Sequence, residues 1–135
     1  MSTGEPSGPL LLLVEDNETI RNAFAILLEE SGYAVLQAAR GADALRIAGE
    51  RDPDLILLDL GLPDIGGLQV ARTLKSREET RHIPIVALTG RALETDRDAC
   101  LAAGCTGYLT KPINTEDLLR QVPEFIRGTG NSTAP

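Results

Sequence analysis

The chain has 135 residues, with 13 Lys and Arg against 20 Asp and Glu, a formal net charge of -7 and only 3% aromatic side chains. That is one domain's worth of sequence, long enough for folding to bury roughly two-thirds of the surface of the unfolded chain without a disulfide or metal staple. The acidic balance argues against nucleic acid and anionic membrane as partners, because such binding needs Lys and Arg to displace counterions.

Residues 1–9 are rich in Gly, Pro, Ser and Thr and are expected to form a disordered tail, as are residues 128–135; the domain is expected over residues 10–127. The start Met-Ser-Thr-Gly-Glu-Pro lacks the basic region of a signal peptide. The longest apolar run, Leu10 to Val14, falls far short of the ~20 residues that span a bilayer. A cytoplasmic protein is expected. Leu10 to Val14 has strand length, and Glu15-Asp16-Asn17 follows it directly. Ile20, Ala23, Phe24, Leu27 and Leu28 then fall at helical spacing, a stripe that predicts a buried helix face closed by Gly32.

Further strand-length blocks are Tyr33 to Ala38, Leu55 to Leu58, Ile83 to Leu88 and Gly107 to Leu109. They alternate with weaker helical stripes at Ala42 to Ala48, Leu68 to Leu74, Leu93 to Ala103 and Thr115 to Ile126. Pro123 falls inside the last of these, where it removes a backbone donor and should kink or shorten the helix. Phe24 and Phe125 are expected in the core, and His82 is expected as a solvated loop residue. Cys100 and Cys105 lack C-x-x-C spacing and are expected as buried free thiols. Five near-continuously apolar blocks alternating with helices predict an α/β, doubly wound fold with parallel strands covered on both faces.

In such a sheet, ligands bind beyond the carboxyl ends of the strands. Strand one is followed there by Glu15 and Asp16, strand three by Asp59, strand four by Thr89-Gly90, and strand five by Thr110-Lys111-Pro112. Pro53, Arg81 and Pro84, with Asp52 and Asp54, fall at the opposite ends. Three converging carboxylates repel one another unless a cation offsets them. Mg²⁺ suits them, since it takes oxygen ligands from one or two carboxylates together with a phosphate. An ammonium and a hydroxyl opposite that ion make a clamp for phosphoryl oxygens, and a carboxylate among them can act as nucleophile.

Val14-Glu15-Asp16-Asn17, the runs Asp54 to Leu60 and Leu62 to Gly67, Ala87-Leu88-Thr89-Gly90, and the run Gly107 to Pro112 together resemble the response-regulator receiver domain of bacterial two-component signalling. The resemblance covers residues 10 to about 127 and implies a flavodoxin-like (βα)5 sheet in the order 2-1-3-4-5. It implies that Asp59 is the phosphoacceptor and that Mg²⁺ is held by Glu15, Asp16, Asp59 and the backbone carbonyl of Gly61. Lys111 would pair with the phosphoryl group, Thr89 would hydrogen-bond it, and Tyr108 would be the switch aromatic that follows Thr89. The Lys111–Pro112 bond would be cis. The phosphoryl donor would be a sensor histidine kinase, a histidine phosphotransfer protein or a small phosphodonor. The readout would be a change on the surface of helix four, strand five and helix five, passed to a downstream protein target. With the domain filling the chain, a stand-alone response regulator is expected. It would assist its own Mg²⁺-dependent phosphorylation and dephosphorylation without turning over a separate substrate. A homodimer is an option the sequence leaves open.

Gly61, Arg91 and Gly66 depart from residues common in the family, the first two beside the phosphoryl position and the third in the turn before Gly67. An alternative is a receiver-fold binding module that works without phosphorylation. An aspartate-nucleophile phosphatase fits poorly, because Asp59 is followed two on by Gly61 where such enzymes carry a second Asp as general acid. A flavodoxin fits poorly too, because Glu15-Asp16-Asn17 is not a phosphate-binding Ser/Thr and Gly loop.

Overall fold

A computed structural model describes residues 8–90 and 94–126, with the side chains of residues 94–96 outside the description. Arg91 and nearly all of both expected tails lie outside the described residues. The elements are β1 (Leu10–Val14), α1 (Glu18–Glu30), β2 (Ala34–Ala38), α2 (Gly41–Arg51), β3 (Leu55–Asp59), α3 (Gly67–Ser76), β4 (Ile85–Thr89), α4 (Glu94–Ala102), β5 (Gly107–Thr110) and α5 (Thr115–Phe125). The five strands form one sheet in the order β2-β1-β3-β4-β5, every pair parallel. This is the doubly wound α/β architecture, with the order reversing at β1 and β3.

Apolar residues occupy both faces of the inner strands because both faces are covered. Leu11, Leu13, Leu55, Leu57, Val86 and Leu88 pack with residues of α1 and α5 on one face. Leu12, Val14, Ile56, Leu58, Ile85 and Ala87 pack with residues of α2 and α3 on the other, together with Cys100 and Cys105. Fully burying a side chain of this kind contributes about 1.5–3 kcal/mol, which is why continuous apolar runs, and not alternating ones, mark these strands. Both cysteines are buried and outside any disulfide, and burial pushes the Cys105 thiol up to about 12. Phe24 and Phe125 are half-buried against the first of these faces. A Cβ at Gly107 would sit 2.7 Å from Phe125 Cζ, so the aromatic ring of α5 packs where β5 has no side chain.

Three strand ends and one helix face differ from the periodicity. Asp59, Thr89 and Thr110 belong to the strand ends and do not merely follow them: Asp59 is in register with Leu88 and Thr89 with Thr110. Polarity stops the apolar pattern before the backbone ladder stops. On α1, the expected inward stripe is only partly inward. Leu28 and the small Ala25 are buried, Ile20 is 39% exposed and Ala23 is exposed. The helix approaches the sheet through Ala25 and Leu28, which turns Ile20 and Ala23 outward into a groove shared with Pro112 and Ile113. At the other end of the chain, α5 closes at Phe125, two residues past Pro123 and one before the expected end.

Local signals set the helix ends. Asn17 and Asn114 cap α1 and α5, each side-chain oxygen accepting an amide from three residues on. Gly32 takes the left-handed conformation after α1, with φ 103°. The α2 helix has no cap of its own at Arg40; Asp64, on the loop after β3, accepts the amides of Gly41 at 2.8 Å and Ala42 at 3.1 Å.

Candidate functional site

The carboxyl ends of β1, β3, β4 and β5 surround a cleft of about 400 Å³ lined by Asp16, Asp59, Leu60, Gly61, Thr89, Gly90 and Lys111. Glu15 begins where β1 stops, its amide still bonded to the Ala38 carbonyl at 3.0 Å. Its side chain is 2% exposed, with Oε2 accepting the Asn17 amide at 3.1 Å and Oε1 accepting Lys111 Nζ at 3.2 Å. Asp59 is 4% exposed. Its Oδ1 accepts Lys111 Nζ at 3.0 Å and the Gly61 amide at 3.0 Å. Lys111 therefore bridges two buried carboxylates. Its position is set by the pairing of β5 with β4, since its amide bonds the Thr89 carbonyl of β4 at 2.6 Å, and the following Lys111–Pro112 peptide is cis.

The electrostatics follow from that geometry. Burial raises the Glu15 pKa, and the nearby Asp59 charge adds to the rise against the opposing Asn17 amide and Lys111 ammonium. Burial alone would lower Lys111, but its hydrogen bonds and attraction to Asp59 and then Glu15 prevail, so its pKa is raised. One cation thus partly offsets the repulsion among three acids. Glu15, Asp16 and Asp59 each place a carboxylate oxygen within 4.8 Å of the others. An all-oxygen donor set at this spacing fits a hard divalent ion such as Mg²⁺, whose neighbouring ligands lie roughly 3–4 Å apart given its ~2.1 Å bonds. Only Asp16 of the three is exposed, so one side of the cluster stays open to an incoming ion.

The residues singled out from the sequence accordingly meet in one place: Glu15, Asp16, Asp59 and Lys111 by direct contact or proximity, and Gly61 and Thr89 as cleft walls. A Cβ at Gly61 would lie 3.8 Å from Asp59 Oδ1, so its absence leaves the space beside that carboxylate open. Tyr108 is half-buried on β5 and lies outside the cleft, lining a separate hollow with Thr110, Pro112, Asn114 and Asp117. His82 is exposed at the far end of the sheet and pairs with Asp52 at 2.9 Å. Asp54, also at that end, accepts the Leu10 amide at 2.8 Å.

Two contacts near the site escaped sequence reading. Asp64 holds the start of α2, and its hydrogen bonds from Gly41 and Ala42 lower its pKa to about 2. Arg21 Nη1 donates to the Glu15 carbonyl at 2.8 Å. Both reach partners that no local pattern announces.

Known proteins resemble this chain in sequence and in fold. A family model for the response regulator receiver domain matches residues 11–123. The polar-differentiation response regulator DivK of Brucella ovis is 39% identical over 116 residues, covering 86% of this chain and 94% of DivK. The receiver domain of a Pseudomonas aeruginosa sensor histidine kinase is 38% identical, with a TM-score of 0.81 over 88% of this chain and 98% of its own; its crystal structure holds a magnesium ion coordinated in the active-site cleft. A chain from the co-crystal of a Saccharomyces cerevisiae histidine phosphotransfer signaling protein with the receiver domain of its downstream response regulator matches at 29% identity. The TM-score there is 0.82, over 87% of this chain and 88% of that one.

Proposed function

Since this chain belongs to the response-regulator receiver family, we propose that Asp59 is its phosphoacceptor and that Glu15, Asp16 and Asp59, with the Gly61 carbonyl, are its Mg²⁺ ligands. The observation that carries the reading is the placement of Lys111 Nζ 3.0 Å from Asp59 Oδ1 at the floor of an open cleft. A carboxylate held in that way is fixed in direction and accessible on one side, which is what an in-line attack on phosphorus requires. Attack forms the Asp59 O–P bond as the bond from phosphorus to the donor imidazole, or to the acyl oxygen of a small phosphodonor, breaks. Bound Mg²⁺ would supply neutralisation of phosphoryl charge. Lys111 pairs with the same oxygens from the β5 side, and the Thr89 hydroxyl, on the cleft wall, hydrogen-bonds them.

The added group brings about two negative charges and three acceptor oxygens. Drawing Thr89 toward them re-weights two states of the domain, with Tyr108 following and the surface of α4, β5 and α5 as the readout to a protein target. The receiver unit occupies residues 10–127, and its chemistry is confined to its own phosphorylation and dephosphorylation. A histidine kinase or histidine phosphotransfer protein is the donor. The apolar groove of about 550 Å³ formed by Thr19, Ile20, Ala23 and Phe24 with Pro112 and Ile113 adjoins Lys111 and supports a protein donor over a free small molecule alone. The test is intact mass after incubation with Mg²⁺ and acetyl phosphate. Wild type is expected to gain one phosphoryl group and Asp59→Asn none; an equal gain in both would refute the assignment.

A further inference from the structure

Past the end of β1 the Glu15 amide still meets the Ala38 carbonyl of β2, and the Glu15 carbonyl turns to a side-chain donor. It finds Arg21 Nη1 at 2.8 Å, while Arg21 Nε donates to Gln37 Oε1 on β2 at 3.0 Å. A guanidinium is a flat, rigid fork, so anchoring Nε on Gln37 fixes the plane in which Nη1 meets the carbonyl. The Glu15 carbonyl and the Asp16 amide belong to one planar peptide unit. Holding that carbonyl holds the plane from which the Asp16 side chain leaves the backbone. Glu15 is further pinned by its own burial, Lys111 and the Asn17 amide, whereas Asp16 is exposed and depends on its backbone for direction.

We propose that Arg21, braced by Gln37, is a positioning residue for the acidic turn, orienting Asp16 and thereby raising the affinity of the site for Mg²⁺ without touching the ion. The inference rests on the reading of Glu15, Asp16 and Asp59 as the metal site. Its sign separates it from simple electrostatics. A guanidinium on the backbone of the acidic turn repels a divalent cation held there, so losing only its charge tightens Mg²⁺ binding. Losing the positioning weakens it, by about tenfold, the low end of what partners of metal-ligating groups contribute.

The test is the equilibrium Mg²⁺ dissociation constant of the full chain by titration calorimetry, for wild type, Arg21→Met, Arg21→Lys and Gln37→Leu, with circular dichroism to verify folding. Amide hydrogen exchange at Asp16 and Asn17 in the metal-free protein gives a second readout. Arg21→Met is expected to bind Mg²⁺ about tenfold more weakly and to exchange faster at both amides. Gln37→Leu, which keeps the arginine charge, shifts both readouts the same way by less, and Arg21→Lys recovers part of the loss. Wild-type binding with equal or tighter binding in Arg21→Met and unchanged exchange would overturn this inference alone. A wild type that takes up no Mg²⁺ would overturn the metal-site reading and this inference with it.

Discussion

Replacing Lys111 with Met removes the ammonium that contacts Glu15 Oε1, at 3.2 Å, and Asp59 Oδ1, at 3.0 Å. Truncating one partner of a fully buried ion pair costs about 3–5 kcal/mol, and an exposed pair contributes about 0–1 kcal/mol. The Lys111 side chain is 29% exposed while both carboxylates are buried, which places the expected loss between those limits, at about 2 kcal/mol near neutral pH. The pH dependence has a definite sign. Glu15 already has a raised pKa from burial and from Asp59, and without the ammonium it rises further. A carboxyl raised in the folded state destabilises the fold when ionised. That cost is present above its folded pKa and disappears as pH falls to its unfolded value of about 4.3. Urea unfolding of wild type and Lys111→Met at about pH 7 and about pH 4 is therefore expected to show a deficit that shrinks on acidification. Mg²⁺ is expected to restore more stability to the variant than to wild type, because the ion takes over the role of the missing cation. A variant as stable as wild type near neutrality, or a deficit unchanged on acidification, would refute the idea that Lys111 holds the acids together.

Asp64→Asn tests the cap that Asp64 gives to α2. The folded pKa of Asp64 lies at about 2, below the usual carboxylate value near 3.9, so its contribution is present above that usual value and is lost as pH falls through about 2. The urea midpoint of the variant should be lower at neutral pH and should converge on wild type in acid; a constant gap would exclude a charge-dependent cap. Gly67→Ala tests the close approach of α3 to the Asp59 loop. A Cβ there would lie 2.5 Å from Leu60 Cα and 2.6 Å from the Asp59 carbonyl oxygen, both backbone atoms that cannot turn aside. Unfolding should become easier by about 1–3 kcal/mol, with slower phosphorylation of the displaced Asp59; a neutral effect on both would show the loop to be freely adjustable.

The sequence revealed the fold because its signals were local and repeated. Runs such as Leu10 to Val14 and Leu55 to Leu58 have no polar face, which only strands covered on both sides can tolerate. The site was legible for a related reason: a parallel sheet brings the carboxyl ends of its inner strands together, so Glu15, Asp59 and Lys111 had to converge once the strands were recognised. What stayed hidden depended on rotation and on long reach. Periodicity identified the apolar stripe of α1 but not that the small Ala25 would bring the helix in sideways and leave Ile20 39% exposed. Asp64 caps a helix that starts 23 residues earlier, and Arg21 braces its contact to Glu15 on Gln37, in a different strand. Neither has a sequence signature, because the partner in each case is a backbone group or an ordinary polar side chain.

The central claim is that, of three acids within 4.8 Å of one another, Asp59 alone accepts the phosphoryl group. Borohydride reduction of the phosphorylated wild type, followed by peptide mass spectrometry, converts the acyl phosphate to an alcohol and marks the residue that carried it. The account predicts homoserine at position 59 and unaltered Glu15 and Asp16. Reduction product at Glu15 or Asp16, with Asp59 intact, would contradict it.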